Sequence, residues 1–120
     1  MRWRNILFIV LTALSSASYA ADSRDTMEKE IQHLFDHLQN SSCEFNRNGK
    51  WYTAEEAVAH IQHKYQYLMK KGLIDSTEQF IDRAASESSL SGKPYMVRCG
   101  AFEPIKSSDW FHKELRRFRE

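Results

Sequence analysis

An α+β domain is the fold class that this 120-residue sequence predicts. It is a small antiparallel sheet, a hairpin plus one or two later strands, packed against about four helices and closed by one disulfide. Three observations predict it. Two short alternating runs meet at Asn48-Gly49, the residue pair that suits a type I′ hairpin turn. Apolar residues recur at helical spacing in several segments that open on Asp, Thr or Ser with Glu or Gln three residues later. Cys43 and Cys99 both fall on runs that read as extended.

The first helix is placed from Asp25, with Glu28 completing a capping-box-like start. Met27, Ile31, Leu34 and Leu38 form its apolar stripe, and Asn40-Ser41-Ser42 its exit. Cys43 to Arg47 and Lys50 to Thr53 are the arms of the hairpin, which puts Cys43 and Phe45 on one face. Thr53-Ala54-Glu55-Glu56 is a capping box opening a second helix, with Ala54, Ala57, Val58, Ile61, Tyr65 and Leu68 on one face and Gly72 as its stop. A short third helix follows, capped by Ser76 and Gln79 and burying Phe80, Ile81, Ala84 and Ala85. After a Ser-rich loop, Tyr95 to Cys99 alternates as a strand with Tyr95, Val97 and Cys99 facing one way. A weak strand or loop then holds Phe102 and Ile105. Ser107 or Ser108 caps a last helix that turns Trp110, Phe111, Leu115 and Phe118 inward.

Residues 1–20 stand apart. Arg2 and Arg4, the apolar run Ile6 to Leu14, and the small residues Ser18 and Ala20 read as a cleaved secretory signal peptide. Its apolar run is short for a bilayer span, and no later segment would leave an integral membrane anchor in the mature chain. The mature unit is one domain, 21–120. Cleavage removes two Arg and no acid, turning a net charge of +1 into −1. A balance so near zero argues against nucleic acid as a partner, because phosphate-driven binding needs concentrated Lys and Arg. In an oxidising compartment the cysteine pair, Cys43 and Cys99, makes one disulfide, and no C-x-x-C spacing supports a redox or thiolate-metal role.

Phe45-Asn46-Arg47-Asn48-Gly49, Glu55-Glu56-Ala57 to His60, Lys64-Tyr65, Thr77 to Ile81 and Ser88 to Tyr95 together resemble the YfeK-like family of small exported proteobacterial proteins, a domain of unknown function. The resemblance spans essentially the whole mature chain. It implies a periplasmic domain and brings no reaction, substrate or cofactor with it.

The candidate binding site is the loop 86–95, through Ser88, Ser89, Ser91, Gly92, Lys93 and Tyr95. Hydroxyls, a Gly and a cation together can grip a carboxylate, a phosphate or a partner's loop. The competing reading is that the serines cap the preceding helix and Gly92-Lys93-Pro94 sets a turn. Catalytic machinery is not expected there. A Ser-x-x-Lys dyad would need Ser where Leu90 stands, and the glycine and hydroxyl spacing of a P-loop is missing. Ser91-Gly92-Lys93-Pro94-Tyr95 is also similar to the Ser-Gly-x-x-Tyr loop of periplasmic lysozyme inhibitors, although the helices disagree with their β-barrel.

His33 and His37, and His60 and His63, are spaced for metal on single helix faces. They fall off the apolar stripes, and no acidic ligand joins them in the sequence. No metal and no cofactor is therefore expected. The sequence thus supports an unidentified periplasmic protein or cell-envelope ligand as partner. A lysozyme-type hydrolase inhibitor and a cell-wall enzyme are the alternatives.

Overall fold

The computed structural model describes the backbone of residues 15–120 and the side chains of residues 23–120. Most of the expected signal peptide, residues 1–14, lies outside the described residues. In chain order the elements are α1 (Ser15–Gln39), β1 (Glu44–Arg47), β2 (Lys50–Tyr52), α2 (Ala54–Lys70), α3 (Thr77–Ala84), β3 (Met96–Arg98), β4 (Ile105–Lys106) and α4 (Ser107–Phe118). The α+β expectation holds, with two later strands.

The strands form one antiparallel sheet in the order β2-β1-β3-β4. The hairpin turn is built as the sequence predicts, with positive φ at Asn48 (54°) and Gly49 (84°). Phe45 sits opposite Tyr52 on one side and Val97 on the other. Phe45 and Val97 are buried on the sheet face that meets the helices. Glu44 pairs with Arg98, so the next rung outward is the disulfide itself, Cys43–Cys99 with a Cα–Cα distance of 4.3 Å.

Helix α2 carries the complete capping box. Thr53 Oγ1 accepts from Glu56 N at 3.1 Å, and Glu56 Oε1 accepts from Thr53 N at 2.9 Å. It ends in a Schellman motif on Gly72 (φ 68°), where Gly72 N reaches Met69 O and Leu73 N reaches Leu68 O, both at 3.0 Å. At α3 the expected pair is displaced by one residue. Ser76 Oγ accepts from Gln79 N, but the Gln79 amide accepts from Asp75 N instead of Ser76 N.

Three expectations need correction. Helix α1 begins at Ser15, ahead of Asp25, because no Gly or Pro stands between them to break the backbone ladder. Neither Ser107 nor Ser108 caps α4, whose N-cap position is Lys106 without a side-chain bond. Ser107 is instead buried at the junction, donating to Ala85 O at 2.7 Å while its N–H donates to Tyr95 O at 2.9 Å. Phe118 is exposed and stacks on His33 at 4.0 Å, whereas Phe111 and Leu115 enter the core.

The centre of that core is an aromatic cluster. Phe80 of α3 meets Phe35 of α1 and Tyr65 of α2 edge-on, each with ring centroids 5.3 Å apart. Phe35 lies four residues after Ile31 and extends the α1 stripe.

Candidate functional site

The loop 86–95 leaves α3, folds back on itself and enters β3. Glu87 and Pro94 form an antiparallel bridge, Ser88 N donates to Lys93 O at 3.0 Å, and Gly92 N donates to Ser88 O at 2.9 Å. Gly92 turns the chain at φ 72°, a conformation that a side chain would strain. Three of the four serines then have separate tasks. Ser86 Oγ donates to Ile81 O at 2.6 Å, closing the end of α3. The buried Ser88 Oγ accepts from Leu90 N and Ser91 N, both at 3.2 Å, and from Asn48 Nδ2 at 3.3 Å. Ser91 Oγ donates to Asn48 Oδ1 at 2.7 Å and accepts from Lys93 N at 3.2 Å. The hairpin turn and the Ser-rich loop therefore hold one another through Asn48.

This division corrects the sequence reading of the site. Ser88 and Tyr95 are interior and cannot touch a partner directly. The N–H groups of Leu90, Ser91, Gly92 and Lys93 are all engaged inside the loop, so they form no anion-binding nest. The surface is presented by Ser89, Ser91, Gly92 and Lys93, together with Leu90, which is 97% exposed. In the sequence Leu90 carries no periodic signal, being one apolar residue in a polar loop.

Beside the loop, the outward side of α2 supplies a basic cluster. Lys64 Nζ donates to Glu87 O at 2.9 Å and to the Tyr95 hydroxyl at 3.2 Å, and that hydroxyl lies 3.1 Å from His60 Nε2. With the ammonium donating to its oxygen, the Tyr95 hydroxyl is left to donate to His60, which makes Nε2 the acceptor. Burial above all, then the charges of Arg47, Lys64 and His63, bring the His60 pKa down from 6.5 to about 4. Burial likewise lowers Lys64 and raises Tyr95. His63, Lys64, Tyr67, Leu68 and Ser89 line a depression of about 180 Å³ between α2 and the loop.

A second polar cluster joins α1 to α4. Glu114 of α4 meets both His33 and His37 of α1, the acidic neighbour that the sequence spacing does not supply. Glu114 is the acid that the sequence pattern did not reveal, because it lies in a distant segment. Its carboxylate also accepts a two-pronged bond from Arg117, at 2.8 and 2.6 Å, and is held down to about 2, with the Arg117 bond the foremost cause. Among the described residues, no group of three or more His, Cys, Asp or Glu is arranged to hold a metal ion. Nor is any helix among them long and apolar enough to cross a membrane.

A family of unknown function, DUF5329, matches residues 25–119. The chain belongs to this family. The DUF5329 chain is also 45% identical over 93 residues to the uncharacterized protein YfeK of Salmonella typhimurium, an alignment covering 77% of this chain and 76% of that relative. No solved structure matches the DUF5329 chain. The family match begins at Asp25, two residues before the buried Met27 of α1, and so takes in both the loop and its partner turn.

Two outcomes are expected at this site. Replacing Ser88 by Ala removes one oxygen that serves three donors and should cost about 1–2 kcal/mol, measured by urea unfolding. Hydrogen exchange at the Leu90 and Ser91 amides should speed up with it, and unchanged exchange would mean the loop is held by other bonds. The second outcome concerns acid. Because His60 is held neutral in the fold, the unfolded chain binds the extra proton between 6.5 and about 4. Stability is complete above 6.5 and is lost as pH falls through that window. Partial solvation of the ring holds the loss to about 2 kcal/mol. His37, lowered mainly by burial, acts in the same direction. His60→Gln should flatten the part of the slope that belongs to His60, and an identical slope in the variant would refute this assignment.

Proposed function

We propose that the chain is a non-catalytic binding module of the bacterial periplasm that presents the loop 86–95 to a protein or cell-envelope ligand. One observation carries this reading. The loop is fixed from within by Ser88, Ser91 and Gly92 and from outside by Asn48 and Lys64, yet it projects Ser89, Leu90 and Lys93 into solvent. Preorganised segments of this kind lose little entropy on binding. The Cys43–Cys99 bond and the signal-like start of the sequence support the compartment. The inhibitor alternative is weaker, because the Ser91 hydroxyl is engaged with Asn48 and Tyr95 points into the core.

A photo-cross-linking residue in place of Leu90, in the full chain expressed in its bacterial host, tests the proposal. Discrete adducts are expected in the periplasmic fraction, and they should vanish when Ser89 is changed to Arg or Lys93 to Glu. The same probe at Lys113, on a different helix, should give none. Adducts of equal pattern from both positions, or no adduct from Leu90, would overturn the loop as a binding surface. Release of fragments from purified peptidoglycan by the chain would favour an enzyme instead.

A further inference from the structure

The basic cluster beside the loop has a composition that selects one kind of ligand. Lys64 is half-buried and held by two neutral acceptors, Glu87 O and the Tyr95 hydroxyl. Among the described residues no carboxylate lies within ion-pair distance of it, that of Glu87 acting only at longer range, and none lies within ion-pair distance of Arg47, which stacks over Tyr52 at 4.8 Å. An ammonium has three donors, so one N–H of Lys64 remains for a ligand in the depression that this side chain lines. The rest of that depression is lined by Ser89, His63, Leu68 and the 58%-exposed Tyr67, so that one hydroxyl-bearing residue stands beside two large apolar ones.

We propose that this depression binds a carboxylate carried on a small apolar body, with the Lys64 ammonium and the Ser89 hydroxyl meeting the carboxylate and Tyr67 and Leu68 meeting the apolar part. The proposal rests on the binding-module reading of the adjoining loop and gives it a ligand class. Phosphate fits less well. A lysine can hold phosphate, but such sites add several convergent donors to it, from backbone N–H groups or Arg forks. Here the loop's N–H groups are engaged internally and no Arg lines the depression, so Lys64 lacks that company. A volume of about 180 Å³ suits a short acyl or amino-acid-sized body, and it is small for a sugar phosphate.

Titrating the uniformly ¹⁵N-labelled chain at neutral pH with hexanoate, hexanol and inorganic phosphate in separate arms tests this. Hexanoate should give saturable shifts at the amides of His63, Lys64, Tyr67 and Ser89. Lys64→Met should weaken its binding by about tenfold or more, as loss of a charge-assisted bond does. Tyr67→Ser, at a position 58% exposed and outside the core, should weaken hexanoate several-fold through the apolar part alone. Hexanol shifts as strong as those of hexanoate would overturn the role of the charge, and phosphate binding as tightly would overturn the role of the apolar residues. Unaltered hexanoate affinity in both variants would overturn the site. Leu90 adducts that persist without hexanoate binding sink the carboxylate and leave the module. Hexanoate binding without adducts sinks the loop as a partner surface.

Discussion

Changing Cys43 and Cys99 together to Ala is expected to lower the unfolding free energy by about 4 kcal/mol and the melting temperature by about 15–20 °C. The two residues are 56 positions apart, so their bond removes a large share of the unfolded chain's freedom. Domains of this size have a total stability of about 5–15 kcal/mol, so the change is severe. The effect should reach the candidate site. Cys43 enters β1, and β1 leads to Asn48, which holds Ser88 and Ser91. Loss of the bond should therefore speed exchange at the Leu90 and Ser91 amides as well as lower the melt. Circular-dichroism melts of the double variant, and of the unchanged chain under reductant, provide the check. A drop below about 5 °C would mean that the β1–β3 ladder already holds these ends together without covalent help.

The elements most legible in the sequence were those defined by local chemistry. Asn48-Gly49 specifies a turn because both residues must take positive φ, and Thr53 with Glu56 specifies a helix start because each satisfies the other's backbone donor. Gly72 is legible for the same reason. The start of α4 was not, because Ser107 looks like a cap but its hydroxyl finds Ala85 O, an acceptor supplied by the fold. Phe118 shows the related error. Its helical spacing agrees with Leu115, yet the neighbouring surface is His33 of α1 rather than the core.

The site divides along the same line. Its position in the loop was legible from composition, since Gly92, Pro94 and four serines have few other uses in ten residues. The division of labour within it was not. Ser88 and Ser89 look alike in sequence, and only the approach of Asn48, some forty residues earlier, marks Ser88 as a buried bracket beside the exposed Ser89. Lys64 and Glu114 were missed for the same reason, since their meaning depends on Glu87 and Tyr95 in one case and on α1 in the other.

Replacing Arg119 by Ala should cost about 2–3 kcal/mol, the second-largest loss expected from a single site. The guanidinium joins three helices from the end of α4. Nε and Nη2 grip both oxygens of Glu30 in α1 at 2.7 and 2.9 Å, while Nη1 donates to Glu78 in α3 at 2.6 Å. Glu30 is only 7% exposed and accepts one further bond, from Thr77 Oγ1 at 2.6 Å. Removing the guanidinium leaves that carboxylate buried beside Glu78 with its charge unmatched. Arg119 is itself 43% exposed, which keeps the loss below that of a fully enclosed pair. A Lys should rescue only part of it, because an ammonium cannot bridge two carboxylates as a planar fork does. Glu30→Gln in the Arg119→Ala background should recover stability, since the unmatched charge goes with it, and the cycle should show coupling of about 1 kcal/mol or more. The pH dependence gives an independent sign. Bonding to Arg119 is the foremost cause lowering both Glu30 and Glu78 below 4.5, so their contribution is present above that value and is lost as pH falls below it. Arg119→Ala should remove the share of the acid limb due to Glu30 and Glu78, and leave untouched both the share held by Glu114 and the loss between 6.5 and about 4 that belongs to His60. Unchanged stability in Arg119→Ala, or an acid limb no smaller than that of the unchanged chain, would show that the Arg119 network does not help to hold α1, α3 and α4 together.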